Sequence, residues 1–99
     1  MRDYELVIVV KPEVTDQEVP RLMDKMAGFV VRKGGSVVEV NQWGRRKLAY
    51  PIRQYLEGNY FLARLKLEPG QVKELEANLR LSDEVIRHLI VRAGERKES

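Results

Sequence analysis

The 99-residue chain predicts an α+β fold in the order βαββαβ, with a four-stranded antiparallel sheet and two helices on one face. Three observations carry this expectation. Runs of β-branched and aromatic residues mark strands. Two other segments carry apolar residues at helical spacing. Turn residues separate the segments in an order that makes two βαβ halves.

Tyr4 to Val10, YELVIVV, reads as a strand that is apolar on both faces toward its end, and hence central. Lys11-Pro12 ends it. Thr15, with Glu18 three residues on, is a capping-box signature, and Asp16 is also favourable near a helix N-terminus. Val19, Leu22, Met23, Met26 and Val30 then follow at helical spacing, up to a stop at Gly34-Gly35. Pro20 falls in the first turns, where proline is tolerated.

Ser36 to Trp43 is the second predicted strand and Tyr60 to Leu67 the third. In the third, Phe61, Ala63, Leu65 and Leu67 share one face, and Tyr60, Leu62, Arg64 and Lys66 the other. The two strands are expected to pair as a long hairpin with a protruding loop, since Pro51 interrupts a continuous ladder. Pro69-Gly70 opens a second helix with Val72, Leu75 and Leu79 on one side. Val85 to Ala93 is the last strand. The arrangement is the ferredoxin-like split, one domain over residues 1–94, followed by a short polar tail, residues 95–99, expected to fray. One sheet face stays open, and a partner can meet the domain there.

Composition narrows the function. There is no cysteine, so disulfides, thiolate catalysis and cysteine-ligated zinc are excluded, and a reducing, cytoplasmic setting is expected. No apolar run nears the ~20 residues that span a bilayer, and MRDYELVIVV lacks the features of a signal peptide. His88 is the single histidine and is expected as a sheet-face residue. With so few hydroxyls and no histidine pair, no nucleophile–base pair or metal set is assembled. We therefore expect no catalytic residue, no metal site and no cofactor. An enzyme on the same fold, an acylphosphatase, needs an arginine in a phosphate-cradling loop after the first strand, where this chain has KPEVTD.

The net charge is +3, but from Arg32 to Arg53 there are six cations and one acid, Glu39, a local +5. A cationic patch on an otherwise balanced domain points to an anionic partner. At its centre is WGRRKLAYPI, Trp43 to Ile52. Arg45, Arg46 and Lys47 are too basic to be buried unpaired, while Leu48, Ala49 and Tyr50 are too apolar for an idle loop. Two readings stand. Either the apolar part packs on a protein and the basic part meets phosphate, or Leu48 and Tyr50 fold back to plug an edge of the core. Tyr4 and Tyr60 lie on strands whose open face can stack on bases, or else they pack at the sheet margin. Arg64, Lys66, Arg87 and Arg92 extend the cationic candidates, with Arg87 and Arg92 on opposite faces.

The segment WGRRKLAYPI, after VVEV and before GNYFL, resembles the signature hairpin of the bacterial small-subunit ribosomal protein family numbered six, the S-six family. RDYELVIVV resembles that family's first strand, and LRLSDEVIRHLIVR its helix end and last strand. The resemblance implies the same βαββαβ fold and a structural, non-enzymatic constituent of the cytoplasmic ribosome. It implies binding to the central domain of small-subunit ribosomal RNA, together with the small basic ribosomal protein numbered eighteen. Carried over by motif, Arg2, Tyr4, Arg45, Arg46, Lys47 and Tyr50 are the candidates for the RNA and partner surface. Some members end in a long acidic tail, where the sequence here reads GERKES. The competing class is a ligand-sensing or dimerising ferredoxin-like module that uses Tyr60 and Leu62 on the open face.

Overall fold

A computed structural model describes residues 1–15 and 17–93. The elements are β1 (Arg2–Val10), α1 (Val19–Arg32), β2 (Ser36–Ile52), β3 (Tyr55–Leu67), α2 (Val72–Arg80) and β4 (Val85–Arg92). The strands form one antiparallel sheet in the order β2-β3-β1-β4. This is the expected ferredoxin-like split. No described helix is long and apolar enough to cross a membrane. Asp16 and the tail at 95–99 lie outside the described residues.

Alternation places the core. Tyr4, Leu6, Ile8 and Val10 of β1 face the helices with Phe61, Ala63, Leu65 and Leu67 of β3. Met23, Met26 and Val30 of α1 and Leu75 and Leu79 of α2 close over them. Burying each large aliphatic chain contributes about 1.5–3 kcal/mol. Short turns hold the helices in place. At the end of α1 the Gly35 N–H donates to the Val30 carbonyl at 2.9 Å. A 3-10 turn at Pro69–Gln71 leads into α2.

The capping box before α1 forms. Glu18 N–H donates to Thr15 Oγ1 at 3.3 Å, and Thr15 N–H donates to Glu18 Oε1 at 2.9 Å. The Val19 N–H also reaches the Thr15 carbonyl at 3.1 Å, so the first helical hydrogen bond starts at Thr15. The bond from the Thr15 backbone N–H, then that from its hydroxyl, lowers the Glu18 pKa below 4.5. A depressed carboxylate adds stability above its unfolded-state pKa, and that part is lost as pH falls through the folded value. Thr15→Ala is expected to cost about 1 kcal/mol at neutral pH. That deficit should shrink as pH falls below about 4.5, where wild type also loses the Glu18 contribution. Urea melts of both proteins at pH 7 and pH 3 measure it; a deficit that grows in acid would refute the assignment.

One expectation is corrected. The connection between the second and third strands is not a protruding loop. β2 and β3 pair from Ser36 to Lys47 and again at Ile52 with Tyr55, beside a two-residue turn; WGRRKLAYPI lies within β2, and the ladder is interrupted over Leu48–Pro51, as Pro51 predicts. Three register shifts, between Val37 and Glu39, Gln42 and Gly44, and Lys47 and Ile52, absorb the irregularities, the last of them around Pro51. The turn residues Arg53 and Gln54 both have positive φ, 51° and 70°. This is the geometry of the tight hairpin turn that fits strand twist, usually built with Asn-Gly. His88 is a sheet-face residue, as expected; it lies on the helix-facing side, paired with Ile8, with Nε2 3.4 Å from Glu76 Oε2 of α2.

Candidate nucleic-acid interface

The hairpin extension runs past the end of β1, and Gly58 and Asn59 lie within its β3 arm. It then bends over the open face toward β4. A Cβ on Gly58 would sit 2.6 Å from Val9 Cγ1, 3.0 Å from the Val10 carbonyl oxygen and 3.5 Å from Ile86 Cδ1. Val9 belongs to the open face by register, opposite Tyr60, yet it is buried, as is Ile86. The extension is seated on a small apolar patch separate from the main core. Two polar ties hold its tip. Arg87 Nη1 donates to the Tyr50 hydroxyl at 3.3 Å, and Arg53 Nη1 reaches the Val85 carbonyl at 3.5 Å.

This seating divides the opening motif. Arg45 is engaged within the fold. Its guanidinium lies 3.1 Å from Glu57 Oε1 and donates to the Pro12 carbonyl at 3.1 Å. Arg46 pairs in register with Gly58 and is exposed. Its guanidinium sits 5.7 Å from the centroid of the Trp43 ring. Lys47 is exposed too. Among the described residues neither Arg46 nor Lys47 has a carboxylate within ion-pair distance. The apolar half is split as well. Leu48 is half-buried, while Tyr50 is 59% exposed, so Tyr50 does not plug the core. Leu56, across the hairpin tip, is 68% exposed, and Leu89 on β4 is 53% exposed.

The open face has two ends. Near the hairpin a groove of about 160 Å³ is lined by Val7, Val9, Tyr60, Arg87, His88 and Leu89. Toward the start of β1, charges alternate. Asp3 pairs with Lys66, Glu5 with Arg64, and Arg64 Nη1 lies 3.5 Å from Glu39 Oε1. Asn41 Nδ2 adds a 2.8 Å hydrogen bond to Glu39 Oε2.

The six candidates therefore do not form one cluster. Arg45, Arg46, Lys47 and Tyr50 are together on the hairpin. Arg2 is exposed at the other end of β1, eight residue steps or about 26 Å from Val10. Tyr4 is 6% exposed and faces the helices with Leu6 and Ile8, so its ring does not lie on the open face with Tyr60. Arg87 lies on the open face and Arg92 on the other, as their spacing predicts. Among the described residues no group of three or more carboxylates or imidazoles is placed to hold a metal ion.

Leu56 and the Trp43–Arg46 contact escaped the sequence reading. Leu56 belongs to a segment for which the sequence predicts a loop, and it lies in β3. The Trp43 contact spans a register shift that strict alternation does not reveal. Leu89 was legible in VIRHLIVR, where Arg87, Leu89 and Val91 share a face.

Comparison with known proteins agrees with this architecture over nearly the whole chain. A family model for ribosomal protein S6 matches residues 3–92. Small ribosomal subunit protein bS6 of Desulforamulus reducens is 41% identical over 95 residues, covering 96% of this chain and 100% of that one. The protein of the same name from Clostridioides difficile is 45% identical over 91 residues, covering 92% and 98%. The crystal structure of 30S ribosomal protein S6 from Thermotoga maritima superposes with a TM-score of 0.84 at 28% identity, covering 92% of this chain and 86% of that one. Sequence over the full domain and the shared fold place the chain in the ribosomal protein S6 family.

Proposed function

We propose that this chain is a structural constituent of the small ribosomal subunit in the cytoplasm. In this reading it binds the central domain of small-subunit ribosomal RNA cooperatively with the small basic ribosomal protein numbered eighteen, and it catalyses nothing. One observation carries the reading beyond family membership. A single hairpin presents two cations that have no acidic partner among the described residues, Arg46 and Lys47, beside exposed apolar side chains, Tyr50 and Leu56. The first pair suits phosphate, which asks only for placed charge and donors. The second pair, with Leu89 and the groove along Val7 and Tyr60, suits an apolar protein surface. Arg2 supplies a third exposed cation, at the far end of β1.

The charge also explains why a partner is needed. A domain of net charge +3 neutralises few phosphates, so its own RNA affinity is weak. A basic protein on the apolar patch adds charge and contact area, and the two binding events then favour one another.

The test is binding of a central-domain RNA fragment with and without the basic partner, at 50 and 200 mM salt. For about four phosphate contacts, the affinity of the ternary complex should fall by about 50-fold between those salts. We expect tight binding only when both proteins are present. Equally tight binding by this chain alone would discard the cooperative mechanism. Absence of binding in both arms would remove the RNA role.

A further inference from the structure

The hairpin motif also holds an aromatic to which the proposed phosphate and partner contacts give no role. Trp43 is the only tryptophan of the chain. Most large aromatic surface is buried in a domain of this size, yet Trp43 remains 38% exposed. It sits in the register shift between Gln42 and Gly44, beside a glycine at φ +86°. Side chains other than glycine rarely adopt that backbone, so the bulge is specific to Gly44, and the indole it displaces stands outside the regular alternation of β2. Arg46 is held over the ring, 5.7 Å from its centroid, and has no carboxylate partner among the described residues.

We propose that Trp43 and Arg46 form a stacking site for an unpaired nucleobase of RNA, the indole meeting the base and the guanidinium the adjoining phosphate. This rests on the reading of the hairpin as an RNA contact and assigns its basic end to a single-stranded or bulged nucleotide rather than to a duplex backbone. The chemistry matches on both counts. A π-face stacks on any base whatever its identity. A guanidinium already placed over the indole loses little freedom on reaching phosphate. Charge separates this occupant from a protein. The partner expected on the hairpin is itself basic, and Arg46 and Lys47 repel it from the Trp43 end. The apolar end at Tyr50, Leu56 and Leu89 carries no such demand for an anion.

Because Trp43 is the single indole, its own emission reports the site. The full chain is titrated with a single-stranded oligoadenylate of about ten nucleotides, up to millimolar concentration, a length that matches the reach of such sites. Inorganic polyphosphate of the same charge serves as the control that has no bases. Oligoadenylate should quench Trp43 emission to saturation, and polyphosphate should compete for the protein without that quenching. Labelled oligoadenylate then reports the variants. Trp43→Leu, which keeps an apolar side chain, should bind about tenfold or more weakly, and Trp43→Phe should retain most of the affinity. Equal quenching by both polyanions, RNA bound without quenching, or no binding at millimolar RNA overturns the stacking site. Equal affinity of Trp43→Leu and wild type does the same, and quenching by the basic partner protein alone would hand Trp43 to the protein interface. If the stacking test fails while the ternary central-domain assay succeeds, the general function stands and only this assignment is lost.

Discussion

Gly58→Ala should both destabilise the domain and release the hairpin from the sheet. The added methyl would meet Val9 Cγ1 at 2.6 Å and the Val10 carbonyl oxygen at 3.0 Å. Val9 is β-branched and stiff in its first side-chain torsion, and Val10 is backbone in the central strand, so neither yields readily. Overpacking of this kind typically costs about 1–3 kcal/mol. The structural consequence is local. To clear Val9 the β3 arm must lift, and the tip then loses the Arg87–Tyr50 hydrogen bond and the Arg53 contact to Val85. We expect a lower denaturant midpoint, faster amide exchange around Tyr50 and Tyr55, and partner-assisted RNA binding weakened by more than stability loss explains. Val9→Ala in the same background removes the nearer of the two clashes. The double variant should then be more stable than the sum of the singles predicts, a coupling that a double-mutant cycle measures. Unchanged exchange at the tip would show that the extension is not anchored through Gly58.

That anchoring was the part of the fold the sequence did not disclose. The four strand cores and both helices were legible because one physical rule governs each. Phe61, Ala63, Leu65 and Leu67 alternate, and Met23, Met26 and Val30 recur at helical spacing. The hairpin tip obeys no such rule. Pro51 argues against a ladder, and Arg53-Gln54 lacks the glycine or asparagine that normally announces a tight turn with positive φ. The ladder breaks around the proline and resumes at Ile52 with Tyr55, while Gly58 seats the β3 arm against Val9 and Ile86, residues far away in sequence. The placement of Tyr4 on the helix-facing side was hidden for a related reason. The run Val7 to Val10 is apolar on both faces and hides the parity, which only the Tyr4, Leu6, Ile8 series around Glu5 reveals.

The candidate site was legible as a patch and not as a division of labour. A run of three cations reads as one feature in sequence. In the fold its members face different neighbours, since successive strand residues point to opposite faces. Glu57 decides the matter for Arg45, and Glu57 is contributed by the opposing strand. The exposed apolar side chains likewise come from three elements, Tyr50 on β2, Leu56 on β3 and Leu89 on β4. No local pattern brings these together.

The division makes the largest prediction for binding. Replacing Arg46 and Lys47 together by alanine should weaken the ternary RNA complex about 100-fold or more, taking each charge-assisted contact as about 1.5 kcal/mol or above. The loss should be electrostatic in kind. For single-stranded RNA each lost phosphate contact lowers the salt slope by about 0.7, so the pair should lower it by about 1.4. Arg45→Ala removes the same formal charge and should behave differently. Its guanidinium is occupied by Glu57 and the Pro12 carbonyl, so the change falls mainly on the hairpin. An exposed pair of this kind contributes about 1 kcal/mol or less to stability, and the salt slope should move little. Measuring log K against log salt for wild type and the variants separates the cases. Equal slope changes for Arg45→Ala and Arg46→Ala would mean that RNA pulls Arg45 away from Glu57, and all three cations would then be phosphate contacts. An unchanged slope for the Arg46, Lys47 double variant would take the hairpin off the RNA altogether. Arg2 and the strand cations Arg64 and Lys66 would be left to carry the charge, and the hairpin would be a protein contact from base to tip.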